Sequence, residues 1–372
     1  MKIRLVLLAG ARPNFMKVAP LMAALDPDER FESILVHTGQ HYDDSMSGTF
    51  FRELHIPSPR HHLNVGSGSH AQQTAEIMRR LEPVLIAEKP AGVIVVGDVN
   101  STLAGALVAA KLEIPVIHAE AGLRSFDRSM PEEINRLATD AISDLLLVTE
   151  ESGRANLLHE GKDPARIAVV GNLMVDSLRR NLPAALESDV RQRLGILNGR
   201  FGLVTLHRPA NVDDGRQLAG IISALRVISE ELPLYWAVHP RTRSHLEENG
   251  ISLGGAIHLL APLGYLDFLH LQMKCSVVLT DSGGIQEEST VLGIPCLTIR
   301  DNTERPVTVE CGTNRVAGTN KESILRAWRE NLESPKRGTT PPLWDGHAGE
   351  RCHDAIARFF SSQMRIEEYS EA

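Results

Sequence analysis

The segment 278–288 joins an apolar run directly to a Ser-Gly-Gly turn that opens a helical pattern. Glycine lets the backbone approach a ligand closely, and the N–H groups at the start of a helix attract an anion. Glu288 follows about one turn into that helix, where its carboxylate could reach hydroxyl groups beside a bound phosphate. The pattern therefore predicts an α/β unit with a nucleotide or nucleotide-sugar site at Ser282, Gly283 and Gly284. A glycine turn with an ordinary N-cap is the alternative.

Short β-branched runs alternate with helical segments along the whole chain. Continuous apolar strands separated by helices are typical of parallel sheets covered on both faces. Strands are predicted in the first half at 3–8, 34–38, 93–97, 116–118, 145–149 and 167–170, and in the second half at 202–206, 234–239, 257–260, 277–280 and 296–299. A polar interval at about 179–200 separates the two series. We therefore predict two doubly wound, Rossmann-like α/β domains.

The length of 372 residues exceeds what one ordinary core requires. We expect a first α/β domain over 1–172, a second over 173–355 and a C-terminal helix over 356–372 that packs back on the first domain. In doubly wound sheets, ligands bind beyond the carboxyl ends of the strands. Polar residues follow strands in both halves, so we expect the active site in a cleft between the domains, with the ligand bridging them.

The charge balance limits the partners. The chain carries 39 basic and 47 acidic residues, a net charge of −8. This argues against nucleic acid or an anionic membrane as the main partner, so an anionic ligand must be held by locally placed cations. The apolar run 5–9 is too short for a signal peptide, and no run has membrane-spanning length. We expect a soluble, cytoplasmic protein.

Two cations, Arg12 and Lys17, flank the turn after the first predicted strand. An arginine binds two phosphate oxygens with its forked guanidinium, and a lysine adds a point charge. The position beyond a strand end favours phosphate binding. A solvated pair beside a proline-bearing turn is the alternative.

Two carboxylates, Asp98 and Glu120, follow neighbouring strands of the first half. A cleft that desolvates them would suit a general acid and a general base at neutral pH. Asp98 could instead cap the next helix, whereas Glu120 precedes Ala and Gly and has no capping role. Glu132 begins a predicted helix, where an acidic residue is also ordinary.

Histidines follow two strands of the second half, His207 and His239, each with an arginine one or two residues further on. One such histidine would more often belong to a core, but two at equivalent strand ends favour an anion-binding face. The charged loop 300–306 could close over a ligand. A surface loop with salt bridges is its alternative.

The segment 66–71 fits the dinucleotide pattern Gly-x-Gly-x-x-Ala, but only residues 63–65 precede it as a possible strand. Glu88, twenty residues beyond Gly68, comes before the next strand rather than at its end. We interpret this segment as a flexible loop and predict no NAD or other cofactor. The four cysteines lack the spacing of a zinc site or a disulfide framework, so no metal is predicted.

Six motifs occur in one order along the chain. They are Gly-x-Arg-Pro-x-x-x-Lys at 10–17, Gly-Asp at 97–98, His-x-Glu-Ala-Gly-Leu-Arg at 118–124, Pro-Glu-Glu-x-Asn-Arg at 131–136, Thr-Asp-Ser-Gly-Gly-Ile-Gln-Glu-Glu at 280–288 and Thr-Glu-Arg-Pro at 303–306. From about residue 3 to residue 318 the chain resembles the non-hydrolysing UDP-N-acetylglucosamine 2-epimerases. The resemblance implies a GT-B-like fold, a homodimer, and interconversion of UDP-N-acetylglucosamine (UDP-GlcNAc) with UDP-N-acetylmannosamine (UDP-ManNAc) for surface polysaccharide precursors.

The resemblance also implies residue roles. The positions matching nucleotide-sugar contacts are Arg12, Lys17 and His207, with Ser282, Gly283 and Gly284 at the diphosphate, Glu288 at the ribose, Phe268 at the uracil and Arg305 closing on the substrate. Leu263 stands where some members have Gln, and a main-chain contact could survive that change. The positions matching catalytic carboxylates are Asp98, Glu120 and Glu132.

The chemistry explains these residue types. No carbonyl flanks C2 of the sugar, so its hydrogen is not acidic, and elimination of UDP from C1 as C2 loses its proton would give a glycal. Re-addition of UDP and return of a proton to the other face need two acid–base groups, for which Asp98, Glu120 and Glu132 remain candidates in no fixed order. We expect His207 at the departing phosphate.

Three features depart from the family pattern. Asn14 replaces a common Glu, and Val307 replaces an acid, which could reflect a different sugar. Some bacterial members of the family that this chain resembles are activated by their own substrate at a second site lined partly by Gln and Arg, a role that Gln40, Arg208 and His239 could serve here. Asp43 and the loop 66–69 lack companion side chains for that site, which argues against activation by substrate.

Other functions remain open at this point. A GT-B glycosyltransferase would also bind UDP through a C-terminal turn, but would not need several acid–base groups around C2. Within the family, a hydrolysing enzyme would release free N-acetylmannosamine, and a relative would act on a UDP-2,3-diacetamido uronic acid. A nucleotide-sugar sensor without activity is a further alternative, against which the retained carboxylates count.

Overall fold

The computed structural model describes residues 2–39, 56–196 and 199–370. The chain forms two compact units. The first consists of Met1–Arg180 together with Pro342–Ala372, and the second of Asn181–Pro341. The sequence analysis placed the corresponding boundaries after residues 172 and 355.

Asp176 explains the difference in boundaries. Its carboxylate accepts hydrogen bonds from the N–H groups of Ala348 (3.1 Å) and Gly349 (2.7 Å), which begin the last helix. Burial raises the pKa of Asp176 above its ordinary value, although these two hydrogen bonds act in the opposite direction. Because Asp176 holds the start of the last helix, residues 173–180 and 342–355 group with the first unit.

The first unit has a sheet of seven parallel strands in the order β3-β2-β1-β4-β5-β6-β7. The strands are β1 Ile3–Ala9, β2 Phe31–His37, β3 His61–His62, β4 Gly92–Val96, β5 Val116–Ala121, β6 Leu145–Val148 and β7 Ile167–Val169. The helices are α1 Arg12–Leu25, α2 His70–Glu88, α3 Asn100–Lys111, α4 Pro131–Ile142, α5 Glu151–His159, α6 Leu173–Leu186 and, after the second unit, α15 Ala348–Ser370. The last six residues of α6 already belong to the second unit. A short 3-10 helix spans Pro164–Arg166.

The second unit has a sheet of six parallel strands in the order β10-β9-β8-β11-β12-β13. The strands are β8 Gly202–Thr205, β9 Leu234–Ala237, β10 Ile257–Leu260, β11 Val277–Thr280, β12 Cys296–Thr298 and β13 Asn314–Val316. The helices are α7 Val190–Arg193, α8 Pro209–Val212, α9 Gly215–Ser229, α10 Pro240–Glu248, α11 Tyr265–Lys274, α12 Gly283–Leu292, α13 Pro306–Glu310 and α14 Lys321–Glu333. In the described ranges, every helix is too short or too polar to cross a membrane.

The central strands are continuous apolar runs because both faces of each sheet are covered. Every residue of β4 and of β11 is buried. Complete burial of one Val, Ile or Leu side chain stabilises a fold by about 1.5–3 kcal/mol. The alternation of such runs with helices therefore leads to a parallel, doubly wound sheet in each unit.

The predicted fold class is confirmed, since both sheets are parallel and doubly wound. All eleven predicted strands are present, and two short strands, β3 and β13, were missed. The strand order reverses between β1 and β4 in the first sheet and between β8 and β11 in the second. Such reversal points are where doubly wound sheets bind ligands. Most of the predicted site residues follow these strands or their neighbour β5.

Candidate active site

Glu120 lies at a bulge near the end of β5, where its backbone has a φ of +73°. The register between β5 and β6 shifts between Ala119 and Ala121, so Glu120 is the extra residue. A glutamate rarely adopts this left-handed conformation, which costs about 1–2 kcal/mol and often marks a functional site. Only 5% of Glu120 is exposed. The surrounding structure therefore holds this carboxylate in a conformation that it would rarely adopt alone.

Lys17, on α1, forms a buried ion pair with Glu120. Both side chains are less than a tenth exposed. Removing one partner of such a pair leaves an uncompensated buried charge at a cost of about 3–5 kcal/mol. The structure thus places the Lys17 ammonium on a candidate acid–base residue. Its contact with a substrate phosphate stays a prediction.

Gly97, after β4, leaves space for this pair. Its φ is +69°, and a Cβ added there would lie 3.2 Å from both Glu120 Oε2 and Lys17 Nζ. Asn14 holds the facing turn, since its Oδ1 accepts the N–H of Gly10 at 3.1 Å. Its Nδ2 donates to Val96 O at 2.9 Å. A glutamate at position 14 could accept the first bond but could not donate the second. Asn14 therefore has a structural role that is independent of sugar choice.

Asp98 forms an ion pair with Arg136 on α4. Its side chain is about a quarter exposed, whereas that of Arg136 is almost fully buried. The N-cap of α3 is Val99, without a side-chain cap, so the alternative of Asp98 as a helix cap is wrong. The side chain of Asn135 donates to Asp98 O at 2.9 Å. Like Glu120, Asp98 is therefore a carboxylate at a strand end with a fixed cation beside it.

Glu132 is partly exposed in the first turn of α4, and its side chain has no hydrogen bond or ion pair within the described ranges. Its neighbour Glu133 is buried and pairs with Arg136 at 2.6 Å. Burial would raise the pKa of Glu133, but hydrogen bonds from the Ser125 N–H and from Arg136 hold it below its ordinary value. Of these two acids, Glu133 fixes the position of Arg136, and Glu132 is open to a ligand.

His207, after β8, is anchored on Asp281. Its Nδ1 lies 2.9 Å from Asp281 Oδ1, and its backbone N–H donates to the same carboxylate at 3.1 Å. Burial opposes the charge on Asp281, but His207 and further hydrogen bonds keep the pKa of Asp281 below its ordinary value. The His207 side chain is 55% exposed, and its Nε2 has no partner in the described part of the chain. This nitrogen can donate to, or accept a proton from, a ligand.

Ser282, Gly283 and Gly284 begin α12, which starts without a side-chain cap. The Ser282 N–H donates to Thr280 Oγ1 at 3.0 Å, which fixes the turn. A Cβ at Gly283 would lie 2.8 Å from Glu304 Oε1. The first N–H groups of this ten-residue helix therefore form a possible anion site, where glycine leaves room beside a carboxylate.

Glu288 is buried and accepts a hydrogen bond from the Tyr265 hydroxyl at 3.0 Å. Burial raises the pKa of Glu288 to about 7, although the bond from Tyr265 lowers it. The pKa of Tyr265 is raised well above its ordinary value, first by burial and then by Glu288. The carboxyl predicted to meet ribose hydroxyls thus titrates near neutral pH.

The loop 300–306 is held by ion pairs, most of whose side chains are buried. Arg300 Nη1 lies 2.6 Å from Glu304 Oε2, and Arg208 Nη2 lies 3.2 Å from Glu304 Oε1. Arg305 Nε lies 2.6 Å from Glu287 Oε1 on α12. Burial lowers the pKa of Arg300 against the opposite effect of Glu304. The pair of Arg305 with Glu287 connects the loop to the helix that follows the turn Ser282, Gly283 and Gly284.

The remaining predicted residues are less informative. Leu263 and Phe268 are partly buried against the core around Phe201. His239 is exposed after β9. Arg12 begins α1, but its side chain and the whole of Gln40 lie outside the described residues. Of the second-site candidates, Arg208 belongs to the network of Glu304.

Sequence reasoning missed several residues that complete these clusters, namely Arg136, Glu133, Tyr265, Glu287 and Glu304. Arg136 and Glu133 are three residues apart on a predicted helix, a spacing that could have indicated an ion pair. Tyr265 and Glu287 gave no such signal, because their partners are distant in sequence. In the described ranges, no group of three or more metal-ligating side chains could hold a metal ion.

Two doubly wound parallel units, the second with a Ser-Gly-Gly turn at the start of a helix, define a GT-B-like α/β protein. A sucrose-phosphate synthase from Thermosynechococcus elongatus, 11% identical over 100% of both chains, has a TM-score of 0.59 and shares the fold alone. The family model described as UDP-N-acetylglucosamine 2-epimerase matches residues 23–357. The chain belongs to this family, as the motifs indicated.

Relatives within the family act on related sugars. The chain is 43% identical over 358 residues to UDP-N-acetylglucosamine 2-epimerase of Methanocaldococcus jannaschii, covering 94% of this chain and 97% of the relative. The crystal structure of that organism's enzyme in complex with UDP-GlcNAc and UDP has a TM-score of 0.89, covering 96% of this chain and 99% of the other. A UDP-2,3-diacetamido-2,3-dideoxy-D-glucuronate 2-epimerase of Pseudomonas aeruginosa is 39% identical, covering 96% of this chain and 100% of the relative.

Proposed function

We propose that this protein interconverts UDP-GlcNAc and UDP-ManNAc. The observation that carries the proposal is the set of two carboxylates, Asp98 and Glu120, at the ends of adjacent strands, each with its own fixed cation. Family membership and the 43% identity to an archaeal UDP-N-acetylglucosamine 2-epimerase support it. We infer that residues of both units act on the same substrate molecule.

The reaction proceeds by elimination and re-addition. A carboxylate takes the proton from C2, the C2–H electron pair forms the C1=C2 bond of a glycal, and UDP leaves C1 with the electrons of the C1–O bond. UDP then adds back to C1 while another carboxyl group returns a proton to C2 from the opposite face. The balance requires neither an oxidant nor a hydride acceptor. Two acid–base groups are needed, and Asp98, Glu120 and Glu132 are the candidates.

Lys17 and Arg136 each form an ion pair with one of the first two candidates. A buried cation favours the ionised form of a neighbouring carboxyl group, which is the form that removes a proton. Glu132 is partly exposed, and no cation pairs with its side chain in the described part of the chain. We therefore assign proton abstraction from C2 to Glu120 or Asp98.

The second unit holds UDP and receives the charge that develops on it. The start of α12 offers N–H groups to the diphosphate, and His207 Nε2 donates to the departing phosphate while Nδ1 stays on Asp281. Glu288 accepts from the ribose hydroxyls, and Phe268 packs on the uracil. Arg305 would have to leave or share Glu287 to contact the substrate.

A second candidate substrate is a UDP-2,3-diacetamido uronic acid. The 39% identity to a Pseudomonas aeruginosa 2-epimerase with such a substrate favours it, together with Val307 in place of a family acid. The C2 chemistry is the same, so the same carboxylates serve both sugars.

We further propose a cytoplasmic homodimer that supplies a precursor of a surface polysaccharide. Sedimentation as a monomer would contradict the dimer.

Proton NMR in deuterated water tests the proposed reaction. UDP-GlcNAc incubated with the protein should gain deuterium at C2 and give the anomeric signals of UDP-ManNAc. Glu120→Gln should lower kcat by about 10²–10⁴, the usual contribution of an acid–base group. Glu82→Gln on the exposed face of α2 is the matched control. Exchange and epimerisation only with the diacetamido substrate would move the assignment to that sugar, and tight binding without turnover of either would contradict it.

A further inference from the structure

Asp140, in the last turn of α4, contacts both sides of the bulge that carries Glu120. Its Oδ1 lies 2.6 Å from Nδ1 of His118, two residues before Glu120. Its Oδ2 accepts the N–H of Gly122, two residues after Glu120, at 3.1 Å. Asp140 and His118 are both fully buried. One carboxylate therefore bridges the two ends of the strained segment.

His118 extends the contact to the neighbouring strand. Its Nε2 donates to Gly97 O at 2.8 Å, and the N–H of Gly97 donates to Ala119 O at 3.0 Å. Both backbone polar groups of Gly97 are thus fixed by β5. Asp98 is the next residue, so the carboxyl ends of β4 and β5 are tied to each other through His118.

Arg124 completes a closed network. Its Nη2 lies 2.7 Å from Asp140 Oδ2, and it also pairs with Glu160 at 2.7 Å. Burial would raise the pKa of Asp140, but the charges of His118 and Arg124 hold it below its ordinary value. The carboxylate is therefore ionised, and each of its two oxygens has a donor beside it. This leaves the network little freedom to rearrange.

The spacing along α4 explains the arrangement. Glu132, Arg136 and Asp140 are four residues apart and share one face of the helix. Arg136 from this face holds the Asp98 side chain, and Asp140 holds the backbone around Glu120. One rigid helix thus determines where both candidate acid–base carboxylates lie.

We propose that Asp140 is a positioning residue that keeps Glu120 in its left-handed conformation and, through His118, fixes the turn before Asp98. The proposal rests on the proposed epimerase function for its activity test, but its structural part does not. Asp140 touches no substrate in this role. A misplacement of a catalytic group by about 1 Å can cost 10² in rate, so loss of this contact should act on kcat.

The test compares Asp140→Ala with Asp140→Asn. In the asparagine variant the side-chain oxygen can face Gly122 and the amide can donate to His118 Nδ1, while His118 Nε2 still donates to Gly97 O. We expect Asp140→Asn to keep kcat within about tenfold of the wild type and Asp140→Ala to lose about 10². KM and UDP affinity should stay unchanged in both. Equal losses in the two variants would overturn the proposal.

Asp144→Ala is the matched control, because Asp144 Oδ2 accepts the N–H of Val116 at the opposite end of β5 at 3.0 Å. It should leave kcat per folded molecule unchanged. If Asp140→Ala does not fold, His118→Phe removes the bond to Gly97 and keeps the Gly122 contact, and it should also lower kcat without changing UDP affinity. An unchanged kcat in His118→Phe would overturn the proposed tie to Asp98.

A crystal structure of Asp140→Ala or His118→Phe gives a readout that needs no activity. In Asp140→Ala, Glu120 should leave its positive φ and separate from Lys17, and in His118→Phe the Gly97 carbonyl should turn. An unmoved Glu120 in Asp140→Ala would overturn the positioning role. If the wild-type protein turns over neither UDP-sugar, the proposed function fails while these structures still decide the role of Asp140.

Discussion

Lys17 pairs with Glu120 across 103 residues of sequence. The pair joins the helix after the first strand to the bulge of β5, within one unit. The sequence analysis predicted that Lys17 binds phosphate, whereas in the structure its ammonium lies beside a candidate acid–base residue. The ammonium can serve both functions if it contacts the sugar diphosphate while it stays on Glu120.

Replacement of Lys17 by Met tests this pairing. The variant leaves Glu120 buried without its cation, so we expect kcat to fall by about 10²–10⁴. UDP affinity, measured by calorimetry, should change less than tenfold if the ammonium acts mainly on Glu120. A large loss of UDP affinity with little change in kcat would instead support phosphate binding.

Replacement of Gly97 by Ala tests the space around the pair. The residue has a φ of +69°, and the new Cβ would lie 3.2 Å from both charged groups. The backbone strain should cost about 1–2 kcal/mol of stability, and the contact should lower kcat in addition. Gly161→Ala is the matched control, because its φ is +81° and no atom lies within 4 Å of the added Cβ. A similar loss of stability in both variants, with kcat reduced only in Gly97→Ala, is expected from thermal unfolding and steady-state kinetics.

Uridine affinity should depend on the charge of Glu288. Its pKa of about 7 means that the carboxylate form, the better acceptor for ribose hydroxyls, becomes dominant as the pH rises through 7. We expect calorimetry to show affinity rising by about tenfold between acidic and alkaline conditions. Uridine is the probe because it lacks the phosphate that titrates near pH ~6. Glu288→Gln should abolish the dependence, and Tyr265→Phe should move its midpoint upward. A pH-independent affinity in the wild type would contradict this role.

Glu288 should also affect the stability of the fold, and this effect should have the opposite dependence on pH. Glu288 has a folded pKa of about 7 against an ordinary value of 4.5. Its protonated form fits the buried site, so this contribution is complete below pH ~4.5 and is lost as the pH rises through 7. Relative to Glu288→Gln, the wild-type free energy of unfolding should fall by on the order of 3 kcal/mol across this range. Denaturant unfolding at several pH values measures it, and parallel curves would show that Glu288 is not desolvated.

The sequence predicted those features that depend on local pattern. The apolar runs determined the central strands, because a strand with both faces covered must be continuously hydrophobic. The positions of Asp98, Glu120, His207 and Ser282 then followed from the rule that parallel strands end at one edge of a sheet. β13 was missed because Asn314–Val316 contains only one apolar residue and is three residues long.

The sequence could not predict contacts between distant residues. Nothing local relates Lys17 to Glu120 or Tyr265 to Glu288, since tertiary packing alone brings them together. The positive φ of Glu120 could not be predicted either, because a glutamate does not indicate a left-handed backbone. These features give the site its charge states and its strain.

The return of the chain to the first unit affects how the protein is made. Asp176 caps a helix that is synthesised only after the whole second unit, Asn181–Pro341, has been synthesised. The second unit is continuous in sequence and can complete its sheet as it emerges. In the first unit, the face of α1 that packs against α15 stays uncovered until α15 has been synthesised. The unit that begins first is therefore the one whose chain is completed last.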